Sequence, residues 1–131
     1  MLFFANNALA NENLQFEKAI SNKHLSIISS LNTKDLAPDK YAIATIDLNE
    51  DFIDEYILRP NQCPPQQLCP HLIIALNNRI PHVIGEFDAH KILVSYKKSY
   101  GVRHLIVYNQ SSNDFITRTA RWQPYISKYA Y

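Results

Sequence analysis

Two periodicities divide the chain. Between Asn11 and about Leu31 the apolar residues Phe16, Ile20, Ile27, Ile28 and Leu31 recur at near-helical spacing, with Ala19 and His24 close to that face. Glu12, Glu17, Lys18, Asn22 and Lys23 fall mostly on the opposite side, and Asn11 or Asn13 can cap the start. The pattern predicts an amphipathic helical segment laid over one face of a sheet, with Ser21-Asn22 a weak spot that can split it in two. On that face His24 reads as a partly packed histidine rather than a ligand.

Residues 32–40, with Pro38, read as a connector. From Tyr41 the period becomes strand-like. Apolar or alternating runs predict strands at Tyr41–Ile46, 55–58, 71–76, 91–96, 103–108 and 115–122, with an irregular one at 81–87. The pair 91–96 and 103–108 flanks a turn at Ser99-Tyr100-Gly101 and reads as a hairpin. One helical segment followed by short strands predicts an α+β fold. Its N-terminal helical segment would pack on a largely antiparallel meander of about six short strands, as a single domain over 11–131.

Composition narrows the function classes. A chain of 131 residues that is 47% hydrophobic and 19% charged, with only two glycines, is globular rather than disordered. At that length folding buries roughly two-thirds of the chain's surface, so no metal is needed to complete a core. Thirteen Lys and Arg against twelve Asp and Glu leave a formal charge of +1, and no basic block exceeds Lys97-Lys98. That balance argues against a nucleic-acid binder or a polybasic membrane-surface protein. The longest apolar run falls well short of the ~20 residues of a spanning helix.

The first ten residues read as an address. An apolar start, a polar break and Ala8-Leu9-Ala10, followed at once by Asn11-Glu12-Asn13, match the end of a secretory signal cut after Ala10. The missing basic stretch implies a start codon upstream, with residues 1–10 the remnant of that signal. Cysteine usage agrees. Cys63 and Cys69 sit in a proline-stiffened segment, close enough to bridge in an oxidising compartment. A soft-metal site of Cys63, Cys69 and His71 is the weaker alternative, since it lacks a fourth ligand. The expected location is periplasmic or secreted.

The most informative segment runs from Asp47 to Glu55. Oxygen side chains at Asp47, Asn49 and Asp51 stand two apart, with Glu55 eight after the first, a spacing that suits a hard cation. It resembles calcium-loop patterns of the D-x-[DN]-x-D-G-x-x-[DE] kind. More widely, Ile46-Asp47-Leu48-Asn49, Glu55-Tyr56-Ile57, Cys63 to Cys69 and Gly101-Val102-Arg103-His104-Leu105-Ile106-Val107 resemble small, mostly uncharacterised exported bacterial domains. Their pattern is D-L-N-x-D, E-Y-I, C-x(4–6)-C and a later Gly-x-x-x-Leu-Ile-Val strand. The resemblance covers about half the chain and implies export without implying an activity. Phe52 stands where such loops carry glycine, and Leu58 stands where an EF-hand carries its bidentate Glu. A bulky residue resists positive φ, so the loop should open and pull an oxygen away. The expectation is therefore an acidic turn with no cofactor, weak calcium binding being the one alternative.

No helical His pair, G-x-S-x-G or P-loop occurs. Glu86, Asp88 and His90 gather two carboxylates and an imidazole within five residues, which offers a general acid–base pair or, more simply, a polar turn. Aromatic and basic residues crowd the last third. Tyr96, Tyr100, Arg103, Tyr108, Arg121, Trp122 and Tyr125 form the candidate binding set, because Tyr, Trp and Arg dominate binding hot spots. These features point to an exported, non-enzymatic domain that binds a protein or glycan of the cell envelope, as an assembly factor, inhibitor or immunity-type protein. The rival is an envelope hydrolase using Asp88, His90 or the acidic turn.

Overall fold

Leu72, Ile73 and Ile74 are consecutive and apolar because the sheet that holds them is covered on both sides. The computed structural model describes residues 11–31, 37–64, 66–111 and 114–131. The predicted signal remnant, 1–10, lies outside the described residues, as does most of the predicted connector.

The chain runs β1 (Glu12–Asn13), β2 (Phe16–Lys18), α1 (Asn22–Ser30), a single 3-10 turn (Pro38–Lys40), β3 (Tyr41–Ile46), β4 (Glu55–Pro60) and β5 (Cys69–Asn77). It continues as β6 (Ile80–Ala89), β7 (Lys91–Ser99), β8 (Val102–Ser111), β9 (Asp114–Gln123) and β10 (Lys128–Ala130). These strands form two five-stranded antiparallel sheets, ordered β2-β3-β4-β5-β6 and β1-β7-β8-β9-β10.

The α+β expectation is corrected here. The chain is mostly β, and its one described α-helix has nine residues. Residues 11–18 do not continue the helix. Glu12, Leu14 and Phe16 turn inward while Asn13, Gln15 and Glu17 face solvent, which is a period of two. Glu12–Asn13 pairs with Leu93 and Val94 of the second sheet, and Phe16–Lys18 pairs with Ala42 to Ala44 of the first. Helix-compatible composition loses to the backbone partners that two sheet edges offer. Ile20, expected on the packed face, is 74% exposed. The helix begins instead at the predicted weak spot, where the Ser21 hydroxyl caps it by accepting from the His24 amide at 3.1 Å.

Three layers result. On the outer face of the first sheet, Ile27 and Ile28 of α1 pack with Ala19, Tyr41, Ile43, Tyr56, Leu58 and Ile74. On its inner face Ala44, Ile46, Ile57, Ile73 and Phe87 meet Ile92, Val94, Leu105, Val107 and Ala120 of the second sheet. A sheet buried on both faces reads as continuous apolar runs, which is why β3, β4 and β5 lack polar alternation. β10 closes the layer against β6. A Cβ at Gly85 would meet the Tyr129 Cβ at 3.3 Å and Ile73 Cγ1 at 3.0 Å, so any larger residue would have to push those neighbours back by a few tenths of an ångström.

The outer face of the second sheet has no covering element among the described residues. Along β8 Leu105 and Val107 point inward, and His104, Ile106 and Tyr108 point outward. β7 and β8 join through Tyr100-Gly101, both at positive φ, in the two-residue turn that matches strand twist. This face carries the polar and aromatic residues of interest.

Candidate functional site

An irregularity in β7 builds the centre of the face. Val94 opposes Leu105 and Lys98 opposes Arg103, so β7 spends four residues where β8 spends two. The extra residues bulge from the ladder, and the Ser95 Oγ accepts the Lys97 amide at 3.1 Å within the bulge. Tyr96 is 45% exposed, with the Arg103 guanidinium 4.3 Å from its ring centre. Arg103 is itself buried and fixed. Its Nε donates to the Ser95 carbonyl at 2.9 Å and its Nη1 lies 3.0 Å from Glu12 Oε1. Its backbone donates to the Leu48 carbonyl and accepts from the Tyr129 hydroxyl at 2.7 Å. Tyr96 therefore rests on a rigid cation.

Beside it opens a groove of about 530 Å³, lined by Tyr96, Lys97, His104, Ile106, Thr119 and Arg121. That volume lies within the usual range for ligand-binding clefts. His104 is buried, and its Nε2 sits 2.7 Å from the Ser99 hydroxyl. Burial holds its pKa below the ordinary imidazole value, and the nearby charges of Arg121 and Lys97 push the same way. Lys98 pairs with Glu50, whereas Lys97 and Arg121 have no ion-pair partner among the described residues.

The structure distributes the predicted binding set unevenly. Tyr96 and Arg121 line one groove, and Arg103 touches the Tyr96 ring without lining that groove. The register of β8 and β9 puts the turns bearing exposed Tyr100 and Tyr125 at the same end of the sheet as Arg121. Tyr108 lies further along the outer face, edge-on to Phe115. Trp122 turns inward, edge-on to Tyr129, and lines a different and much smaller cavity. Lys97 and His104 were outside the predicted set. Strand alternation alone places His104 beside Ile106, but the bulge that delivers Lys97 leaves no mark in the sequence.

The acidic turn closes more tightly than expected. Phe52 takes φ +65° and Glu50 φ +58°, so the left-handed turn forms without glycine. The expectation that Phe52 would open the loop is corrected. The Asp47 carboxylate accepts the Phe52 amide at 2.8 Å and the Asp51 amide at 3.3 Å, which holds the turn. The Phe52 ring is 97% exposed, so no packing opposes it. Asp51 Oδ1 accepts the Ile53 amide at 2.9 Å, and buried Glu55 accepts the Leu48 amide at 2.6 Å.

Asp47, Asp51 and Glu55 offer oxygens within 4.8 Å of one another, the arrangement a hard cation would use. Those carboxylates already serve four amides of the turn. Glu55, with Asn49, borders an apolar cavity of about 90 Å³ walled by Leu48, Ile84, Val102 and Trp122. Burial raises its pKa to about 7, overriding the Leu48 amide, which favours the carboxylate; the charges of Asp51, Asp47 and Asp54 add to the rise.

The chain matches no known family, curated protein or solved structure.

Glu86 and Asp88 point to solvent from β6, alternating with buried Phe87 and Ala89. The His90 ring spans two backbones instead of joining them. Its Nε2 lies 3.2 Å from the Gln66 carbonyl and its Nδ1 accepts the Gln110 amide at 2.9 Å, so both nitrogens tie the cysteine loop to β8. Cys63 and Cys69 form the expected disulfide, with Cα atoms 6.2 Å apart. With both sulfurs bonded to each other, the alternative metal site with His71 has no thiolates. His71 is wholly buried and its Nδ1 sits 2.9 Å from the Cys69 carbonyl. No helix among the described residues is long and apolar enough to cross a membrane.

Proposed function

We propose that this chain is an exported, non-enzymatic binding domain that acts on another macromolecule of the bacterial cell envelope. It uses the outer face of the second sheet, in the manner of an assembly factor, an inhibitor or an immunity-type protein. The observation that carries the reading is the half-exposed Tyr96 held on buried Arg103, beside Lys97 and Arg121. An aromatic ring fixed before binding loses little rotamer entropy on contact, and Tyr with Arg is the usual content of a binding hot spot. The Cys63–Cys69 bridge is compatible with an oxidising, exported compartment, either periplasmic or outside the cell.

The hydrolase reading draws less support. Glu86 and Asp88 face solvent and both His90 ring nitrogens are taken by backbone, and the carboxyl with a perturbed pKa, Glu55, borders a cavity of about 90 Å³. That is well below the roughly 300 Å³ at which small-molecule clefts begin. Co-sedimentation with envelopes isolated from the source cell tests the proposal. The folded chain should pellet with them, and Tyr96→Ala with Arg121→Ala should abolish the pelleting. Retention that ignores both changes would overturn it.

A further inference from the structure

The groove beside Tyr96 is charged on one side only. Lys97 and Arg121 border it as cations, His104 borders it with its pKa held low by burial, and no carboxylate is among its lining residues. Glu12 and Glu50 are committed to Arg103 and Lys98. The remaining lining is of a different kind. Asn11, Ser95 and Thr119 are neutral donors and acceptors, and the Tyr96 ring and Ile106 supply flat apolar surface. Cations alone would suit any anion. Cations combined with neutral hydrogen-bonding groups and a rigid aromatic platform suit a ligand that is at once anionic, polyhydroxylated and faced with C–H groups.

An extended acidic peptide would use the site less well. Peptides commonly dock by adding a strand to a sheet edge, and the edges of this sheet are β1 and β10, of two and three residues. The groove instead lies on the sheet face beside the β7 bulge, where the Ser95 carbonyl and the Lys97 amide are already taken by Arg103 and the Ser95 hydroxyl.

Resting on the binding-domain reading, we propose that this groove holds a carboxylate-bearing sugar of an acidic glycan. The ring stacks on Tyr96 and the carboxylate meets Arg121 and Lys97. The guanidinium of Arg121 can grip a carboxylate with two parallel hydrogen bonds, Lys97 adds a point charge, and Thr119 and Asn11 meet the hydroxyls. Arg103 takes no part in the contact and acts as a positioning residue for Tyr96.

Calorimetric titration of the disulfide-bonded chain with tetragalacturonate, neutral maltotetraose and tetraglutamate tests this. Tetragalacturonate should bind, the other two should not, and affinity should fall as salt rises. Lys97→Gln with Arg121→Gln removes both cations and should weaken tetragalacturonate by about tenfold or more, and Tyr96→Ala should weaken it about tenfold. All three side chains are exposed, so the variants should keep the wild-type melting temperature. Equal binding of tetraglutamate would overturn the sugar assignment, and affinity unchanged by the substitutions would overturn the site. If envelopes retain the chain through Tyr96 and Arg121 while no acidic sugar binds, this inference falls and the binding-domain proposal stands.

Discussion

The Arg103 guanidinium lies 4.3 Å from the centre of the Tyr96 ring, joining a buried cation of β8 to the half-exposed ring carried by the β7 bulge. Arg103 also holds Glu12, the Ser95 carbonyl and, through its backbone, Leu48 and Tyr129. Arg103→Met should therefore cost about 2 kcal/mol, because Glu12 and the Ser95 carbonyl lose a charged partner. Tyr96→Ala should cost under about 1 kcal/mol, as expected for an exposed side chain. Urea unfolding of the two variants separates them. Equal costs would mean that Tyr96 is a packing residue rather than a presented one.

Glu55 makes stability depend on pH. Its folded pKa of about 7 stands above the ordinary 4.5, so between those values the folded state binds more protons than the unfolded one. The contribution is complete below about pH 4.5 and is lost as pH rises through 7. It amounts to about 3 kcal/mol at most. Unfolding free energy should accordingly fall between pH 5 and pH 8. Glu55→Gln, which keeps an acceptor for the Leu48 amide, should flatten that slope and be the more stable protein at pH 8. Parallel curves for the two proteins would place the pH dependence elsewhere.

Asp47 holds the strained turn through the amides of Asp51 and Phe52. Asp47→Ala should destabilise the chain by about 1–2 kcal/mol, since it releases two amides and leaves Phe52 at positive φ without compensation. The loss should be the same with and without millimolar calcium. A calcium-dependent rise in wild-type melting temperature that disappears in Asp47→Ala would instead assign the three carboxylates to an ion.

The disulfide closes a short loop that His90 pins to β8. Replacing Cys63 and Cys69 with Ser should cost about 2 kcal/mol on the chain-entropy account. In protein taken from the source cell, alkylation without reductant should label neither cysteine, and mass spectrometry should find a mature N-terminus at Asn11. Free thiols on a chain that begins at Met1 would contradict export.

Much of the sheet structure was legible because its strands are long and their burial is one- or two-sided. The continuous runs of β3 to β5 and the alternation of β7 to β9 announce strands directly, and Gly101 marks the hairpin turn. β1, β2 and β10 are two or three residues long and exist because an edge elsewhere in the chain accepts them. No window of sequence can show a period over that length. The helical reading of 11–20 failed for this reason: Phe16 does pack against the core, whereas Ile20, expected beside it, is exposed. The aromatic and basic residues of the face were visible as a crowd. Their sorting depended on strand parity, which sends Trp122 inward, and on the β7 bulge, which brings Lys97 to the groove. The Asp47 carboxylate explains Phe52. A side chain that satisfies the amides of a left-handed turn can take the place of glycine.

Backbone amide chemical shifts of the labelled chain, followed while solubilised envelope material is added, test the central claim most directly. Binding through the outer face of the second sheet predicts that perturbed amides cluster at Tyr96, Lys97, His104, Thr119 and Arg121, while Glu86, Asp88 and His90 stay unmoved. Shifts confined to Glu86, Asp88 and His90, or to the acidic turn, would contradict it.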